Sequence, residues 1–225
     1  MFEINEVLAQ QASDRIASRR EIYWVIGGSC SGKTSVCSQI AANTGTSVYD
    51  MDENIYGRYR DRYSPSRHPA SSARFRRADP LHWALSLSWE DFNNLNKATN
   101  AEFLDLFSQD ILEMTSDLPL IVDGGITHPS LLAAVVDPKK IVCLEIDDAE
   151  SRRIWETDKA RSTMRSAVKG LPDGSAAWGK FLMFNERISE TINREAGEQG
   201  IVVVRRATGM SLEDLSGAVS QRLGI

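Results

Sequence analysis

The segment at residues 27–34 constrains this chain more than any other, because it combines glycines, a lysine and a hydroxyl residue at fixed spacing. It reads GGSCSGKT and satisfies the pattern G-x-x-x-x-G-K-[ST] at every fixed position. It follows an apolar run at residues 21–26 and opens a helical pattern that continues from Ser35. Glycines let backbone N–H groups turn inward around an anion, and the helix N-terminus adds its positive end. The segment therefore predicts a phosphate-binding loop between a strand and a helix.

Lysine and hydroxyl side chains have defined tasks when such a loop holds a nucleoside triphosphate. Lys33 is expected to reach the β- and γ-phosphates, and the Thr34 hydroxyl is expected to be a ligand for Mg²⁺. The motif is that of the P-loop NTPases, so the predicted cofactors are ATP and Mg²⁺, with GTP left open as the nucleotide. The residues predicted to bind the nucleotide are Gly27, Gly28, Ser29, Cys30, Ser31, Gly32, Lys33, Thr34 and Ser35.

Short apolar runs alternate with helical patterns along the whole chain. Strands that are nearly all apolar are typical of a parallel sheet covered on both faces. The sequence therefore predicts one α/β domain over residues 1–225, with a three-layer P-loop NTPase fold and about five parallel strands. Strands are predicted at residues 21–26, 47–49, 120–122, 140–146 and 201–204, and helices at 4–20, 35–42, 90–117, 149–156, 180–195 and 212–223, with a further helix beginning at Pro129.

Aspartates follow two of these predicted strands. Asp123 ends one apolar run, where P-loop proteins carry the carboxylate that helps to hold Mg²⁺. Asp50 and Asp52 end another strand, and residues two apart on a strand face the same way. Asp50 is therefore predicted beside the metal with Thr34 and Asp123, and Asp52 is predicted to accept the proton of a substrate hydroxyl. Two alternatives stay open: Asp123 is only a turn residue, or one aspartate of the pair caps the following helix.

These motifs carry a resemblance to known kinases. Residues 49–55, YDMDENI, resemble the D-x-D segment of shikimate kinases, in which the first Asp lies near the metal and the second orients or deprotonates the substrate hydroxyl. The glycines after Asp123 are similar to the glycine run of that family, while the P-loop looks more like that of uridine kinases. The chain thus resembles the small-molecule and nucleoside-monophosphate kinase group broadly. The substrate arginine motif of shikimate kinases does not align onto residues 59–62, so the resemblance does not imply shikimate as the acceptor.

Arginine is concentrated just beyond the D-x-D. Of the 26 basic residues 19 are arginine, and seven of these lie in residues 58–77 with a single acid, Asp61. The related kinases bind their acceptor here, so a helical acceptor-binding insertion is predicted at residues 53–117. Its positive segment in an acidic protein indicates a small anionic acceptor, whereas the alternative is pairing with the acids of residues 90–117. The residues predicted to contact the acceptor are Arg58, Arg60, Arg62, Gly124 and Gly125.

A second group of arginines falls in a polar segment after the fourth predicted strand. Residues 157–179 contain glycines and scattered bases, and they are predicted to form a loop that closes over the nucleotide as a lid-like flap. Arginine forks match the oxygens of a transferred phosphoryl group, which favours a role for arginines inside the flap. The full set of predicted catalytic residues is Lys33, Asp52, Asp123, Arg161 and Arg165.

Composition narrows the class of function. The net charge is -5 and the pI is about 5.3, which argues against general nucleic-acid or membrane-surface binding. Three cysteines without metal-ligand spacing, and an N-terminal segment unlike a signal peptide, favour the cytoplasm. The predicted function is a Mg²⁺-dependent phosphotransferase that passes the γ-phosphoryl of ATP to a small anionic metabolite or nucleotide. The alternatives are an NTPase that couples hydrolysis to a conformational change or a partner, and a nucleotide-binding module without turnover.

Overall fold

A five-stranded parallel sheet forms the centre of the protein in the computed structural model, which describes residues 2–18, 21–115 and 118–225. The strand order is β2-β3-β1-β4-β5, which confirms the predicted α/β class and the parallel sheet. Each predicted strand lies within one residue of its observed ends. The strands are β1 (Ile22–Gly27), β2 (Ser47–Asp50), β3 (Leu120–Asp123), β4 (Ile141–Glu145) and β5 (Val202–Arg205).

Helices cover both faces of the sheet. They are α1 (Glu6–Ala17), α2 (Lys33–Thr44), α3 (Met51–Tyr56), α4 (Pro69–Phe75), α5 (Pro80–Ser86), α6 (Trp89–Glu113), α7 (Pro129–Ala133), α8 (Asp148–Thr157), α9 (Ser162–Lys169), α10 (Gly174–Glu198) and α11 (Leu212–Leu223), with 3-10 turns at Pro138–Lys140 and Lys159–Arg161.

Side chains along each strand point alternately to the two faces of the sheet, so the core has two layers. Val122 of β3 is fully buried with Trp24 against residues of α1, α6 and α10. Its neighbour Ile121 points the other way and is buried with Val25 against α2 and α11. Successive strand residues face opposite sides of a sheet, so these apolar strands require cover on both sides. The arrangement is the predicted three-layer fold.

The connection between β2 and β3 is helical, and α6 is its longest element. Ser88 caps α6 by accepting a hydrogen bond from the backbone N–H of Asp91 at 3.1 Å. Most of α6 between Phe92 and Ile111 is buried, including the acids Glu102, Asp105 and Asp110. A helix that is buried on nearly all sides lies in the core rather than on its surface.

The segment predicted as a loop at residues 157–179 is instead mostly helical. It contains a 3-10 turn, all of α9, and the first turns of α10, which begins at Gly174 rather than at the predicted residue 180. Val168 of α9 is fully buried in a cluster with Trp155 and Trp178. The polar composition concealed this helix, because its apolar contacts are contributed largely by aromatic residues of the neighbouring helices.

Two predictions extend beyond the described residues. Residues 19–20 of the first predicted helix, and residues 116–117 at the end of the predicted acidic helix and insertion, lie outside them. Within the described ranges, no helix combines the length and apolar character needed to cross a bilayer. The cysteines Cys30, Cys37 and Cys143 are buried and form no disulfide.

Candidate functional site

The loop between β1 and α2 turns tightly at positions that only glycine tolerates. Gly27 has φ +143, and a Cβ there would lie 2.2 Å from the carbonyl oxygen of Leu144 on β4. Gly32, which precedes α2, has φ +96. Left-handed and related conformations cost a side-chain-bearing residue free energy, so these glycines let the backbone wrap into a loop. The predicted strand, glycine loop and helix therefore occur in the expected order.

Polar groups of this loop are suited to hold phosphate. The Nζ of Lys33 donates to the carbonyl oxygens of Gly27 and Gly28, both at 3.0 Å, and so folds back along the loop. Ser31 is fully buried, and its hydroxyl has no hydrogen-bond partner among the described residues. A buried hydroxyl without a partner costs free energy unless a ligand supplies one. A nucleotide phosphate would give the Ser31 hydroxyl a hydrogen-bond partner, so the loop fits a phosphate chain.

The aspartates meet at the carboxyl edge of the sheet. In the parallel register, Asp123 of β3 is paired with Asp50 of β2 on one side and Val25 of β1 on the other. Burial raises the pKa of Asp123, while a hydrogen bond from Thr34 and the charge of Lys33 oppose this shift. Thr34 and Asp123, both predicted metal ligands, are thus in contact beside the lysine.

The D-x-D pair does not lie on one strand. Strand β2 ends at Asp50, and Asp52 is the second residue of α3, so the argument from strand alternation was wrong. The Oδ1 of Asp50 accepts a hydrogen bond from the backbone N–H of Glu53 at 2.8 Å and caps α3. The alternative interpretation of this aspartate, a helix cap, is therefore correct, and its role at a metal stays a prediction.

Asp52 nonetheless faces the phosphate loop. A Cβ placed on Gly124 would lie 3.3 Å from Cε of Lys33 and 3.5 Å from Oδ2 of Asp52, so the two side chains flank this glycine. Desolvation raises the pKa of Asp52, with Lys33 and Arg161 opposing the shift and Asp50 adding to it. A carboxylate with a raised pKa beside the phosphate loop is suited to accept a proton.

The glycines after Asp123 are held in place by neighbouring elements. Gly124 has φ +70, and its carbonyl oxygen accepts a hydrogen bond of 2.9 Å from the indole of Trp24. Gly125 has φ +77, and a Cβ there would lie 2.4 Å from Cβ of Met51. Further along, the Oδ1 of Asn100 accepts hydrogen bonds from the backbone N–H groups of residues 127 and 128. The segment after β3 is therefore held beside the phosphate loop by contacts with β1, α3 and α6.

The two arginines predicted in the flap differ in their surroundings. Arg161 is near enough to the loop to lower the pKa values of Cys30 and Asp52, although desolvation raises both more strongly. Its guanidinium lies 5.0 Å from the ring centre of Trp155. Arg165 instead donates to the carbonyl oxygen of Trp155 at 2.7 Å and joins α9 to α8. The charge of Arg161 therefore acts on residues at the phosphate loop, whereas Arg165 has a structural contact between α9 and α8.

Most of the arginines predicted to bind the acceptor have structural partners. Arg58 and Arg62 both form ion pairs with the buried carboxylate of Asp110 on α6. The guanidinium of Arg60 lies 5.9 Å from the ring centre of Phe75. The open alternative, pairing with the acids of the long helix, is therefore correct for Arg58 and Arg62.

Two residues at the phosphate loop were not among the predicted site residues. Ser151 of α8 donates a hydrogen bond of 3.2 Å to the carbonyl oxygen of Ser29. Arg206, directly after β5, donates from Nη1 to the carbonyl oxygen of Cys30 at 3.4 Å. Their position in the sequence could have indicated them, because both residues follow parallel strands at the carboxyl edge of the sheet, where ligands of α/β sheets bind.

Comparisons with known proteins bear on the fold. Neither a protein-family model nor a curated protein matches the sequence. Among solved structures, TT1252 from Thermus thermophilus is similar with a TM-score of 0.52 and 17% identity, over 92% of this chain and 97% of that one. The shikimate kinase from Aquifex aeolicus VF5 has a TM-score of 0.44 and 14% identity, over 90% and 96% of the two chains. With its glycine loop between β1 and α2 and its parallel sheet, this chain has a three-layer α/β P-loop fold that is similar to the fold of TT1252.

Proposed function

We propose that this protein is an ATP-dependent phosphotransferase that moves the γ-phosphoryl group to a hydroxyl or phosphate of a small anionic metabolite. The observation that carries the proposal is the convergence of Lys33 and Asp52 on Gly124, beside the loop that would hold the phosphates. A hydrolytic switch needs the phosphate loop but has no need for a second carboxylate from α3 at this point. Phosphoryl transfer to a hydroxyl uses one to receive the proton.

The residues divide the work of transfer. An acceptor hydroxyl attacks the γ-phosphorus while the bond between that phosphorus and the bridging oxygen of ADP breaks, and the hydroxyl proton passes to Asp52. Lys33 and Arg161 offset the negative charge on the transferred group. Thr34 and Asp123 would hold Mg²⁺, which would supply further neutralisation of charge. The helical segment that carries Arg161 would limit the access of water.

Support for an anionic acceptor comes from Arg74. Asp52 and Tyr56 are four residues apart on α3 and therefore lie on one face of that helix. The Nη2 of Arg74 donates to the Tyr56 hydroxyl at 3.4 Å, one turn from Asp52 along this face. Unlike Arg58 and Arg62, Arg74 forms no ion pair within the described ranges. A cation so placed can bind a carboxylate or phosphate of the acceptor.

The test is ADP release from Mg-ATP, measured alone and with pools of phosphorylated or carboxylated metabolites. We expect one pool to raise the rate, and Lys33→Ala to abolish the stimulated reaction because the variant lacks the cation at the β- and γ-phosphates. Lys97→Ala, on α6, is the matched control and should retain the rate. A rate that no pool changes, but that a protein partner raises, would contradict the kinase proposal and favour a coupled NTPase.

A further inference from the structure

We infer that Arg206 binds a phosphate of the nucleotide that is not transferred, so that it contributes to nucleotide affinity and not to the chemical step. This inference rests on the proposed function, because it concerns the same phosphate loop. It adds a cation from the segment after β5 to a site whose other cations, Lys33 and Arg161, come from α2 and from the turn before α9.

The backbone fixes where the Arg206 side chain starts. Its N–H donates to the carbonyl oxygen of Glu145 at 2.8 Å, which continues the pairing of β5 with β4 past the strand end. From there the guanidinium extends to the phosphate loop: Nη1 is 3.4 Å from the carbonyl oxygen of Cys30. The same nitrogen lies 3.7 Å from the position of a Cβ on Gly32, the residue that precedes α2. Arg206 is therefore adjacent to the helix N-terminus that would hold the phosphates.

Within the part of the chain that the structure describes, Arg206 forms no ion pair, although it lies beside the N-terminus of α2. The N-terminus of α2 is the positive end of the helix dipole, so it repels a guanidinium. The charge of Arg206 acts on Glu150, whose pKa is lowered first by its hydrogen bond to Arg153 and only lastly by Arg206. Both oxygens of Glu150 accept hydrogen bonds of 2.7 Å from Arg153. Within the described ranges, the long contact to Cys30 is the one hydrogen bond that the Arg206 guanidinium makes.

The position of Arg206 indicates which phosphate it binds. Asp52, which is proposed to receive the proton, lies at the start of α3 directly after β2, at one edge of the sheet, whereas Arg206 follows β5 at the other edge. Arg206 lies by Cys30 and Gly32, where a Cβ on Gly32 would also be 3.8 Å from Leu215 of α11. Asp52 and Arg206 thus approach the loop from opposite edges of the sheet. Because Arg206 comes from the edge remote from Asp52, we expect it to contact a phosphate that ATP and ADP share.

The experiment compares the binding of ADP and of inorganic tripolyphosphate to the full chain and to two variants. Arg206→Ala removes the guanidinium, and Arg205→Ala removes the same charge from the exposed neighbouring residue as a matched control. We expect Arg206→Ala to weaken both ligands by about tenfold or more, the effect of one charge-assisted hydrogen bond. Arg205→Ala should bind both as the wild type does. In the stimulated transfer assay, Arg206→Ala should raise KM for ATP with kcat retained.

Each other outcome overturns a defined part of the account. Equal binding by the wild type and Arg206→Ala would overturn the inference. A variant that loses ADP binding but keeps tripolyphosphate binding would also overturn it, because the side chain would then contact the nucleoside. A lower kcat at unchanged KM would place Arg206 in the chemical step and also contradict it. A wild-type protein that binds both ligands but transfers nothing would overturn only the phosphotransferase proposal. A wild-type protein that binds neither would overturn both.

Discussion

Gly28 shows how closely the phosphate loop is packed against the rest of the molecule. A Cβ at this residue would lie 2.1 Å from Oγ and 2.9 Å from Cβ of Ser189 on α10. Contacts this short cannot be relieved by rotating the serine alone, because its Cβ does not move when the side chain rotates. The glycine is therefore needed for the approach of α10, and not for an unusual φ at this position.

We expect Gly28→Ala to lower the free energy of unfolding by about 1–3 kcal/mol, the usual cost of overpacking, and to weaken nucleotide binding because the loop must shift. Combining it with Ser189→Gly should restore part of both losses, which a double-mutant cycle in denaturant unfolding would measure. Gly179→Ala is the control, since a Cβ there has no neighbour within 4 Å. Additive effects of the two changes would contradict the packing argument.

The aspartates show what single residues in a sequence can and cannot predict. Their residue type and spacing led to a carboxylate near Lys33, and Asp52 does flank Gly124 with that lysine. The physical reason was wrong, because Asp50 ends β2 by capping α3 and the side chains then follow helical directions. Asp50 becomes a helix cap because the backbone after it turns into α3. The local sequence was equally compatible with a strand that continues past Asp50.

At the scale of elements, α6 pairs with Arg58 and Arg62 through Asp110 and with two further arginines through Asp105. Asp105 is fully buried, and its carboxylate accepts hydrogen bonds from Arg15 at 2.9 Å and from Arg67 at 2.8 Å and 2.7 Å. Burial alone would raise its pKa, but hydrogen bonds from His68 and Arg67 bring the pKa well below the ordinary value. These ion pairs tie α1 and the segment before α4 to α6.

We expect Asp105→Asn to lower the free energy of unfolding at about pH 7 by about 2–3 kcal/mol. This is less than the roughly 3–5 kcal/mol typical of a fully buried pair, because both arginines keep partial contact with water. A folded-state pKa below the unfolded value stabilises the protein above the unfolded pKa, near 3.9, and this stability is lost as pH falls. The difference between the wild type and the variant should therefore shrink toward about pH 3.

Denaturant unfolding at both pH values measures this difference, and Glu113→Gln, an exposed acid at the end of α6, is the control. A difference that persists unchanged at the lower pH would contradict the assignment of the stability to the Asp105 carboxylate.

The helices around α9 mark the limit of sequence reasoning at this scale. Residues 157–179 are polar and contain glycines, which favoured a loop, yet Val168 is fully buried among Trp155 and Trp178. The rings of Trp155 and Phe181 also pack edge to face, with centroids 4.8 Å apart. Packing against aromatic rings of the neighbouring helices α8 and α10 overrides a weak local helical pattern, and a pattern search within α9 alone cannot detect it.

For the whole molecule, the architecture was predictable because each level of the sequence agrees with the others. Apolar strands, a glycine loop after the first strand and helical patterns between strands all require the same three-layer sheet. The site is predictable where it depends on that architecture, as at Lys33 and Asp123. The site could not be predicted where it depends on a side chain of one element that contacts another element. Arg206 at Cys30 and Arg58 at Asp110 are examples.

Asp52 is proposed to receive the proton while the phosphate loop holds the nucleotide. The transfer of γ-labelled phosphate to the stimulating metabolite by Asp52→Asn tests this role most directly, with Asp61→Asn as the exposed control. We expect Asp52→Asn to bind ATP with the wild-type affinity and to lose about 10²–10⁴-fold in transfer rate, while the control transfers normally. Wild-type transfer by Asp52→Asn would contradict the account.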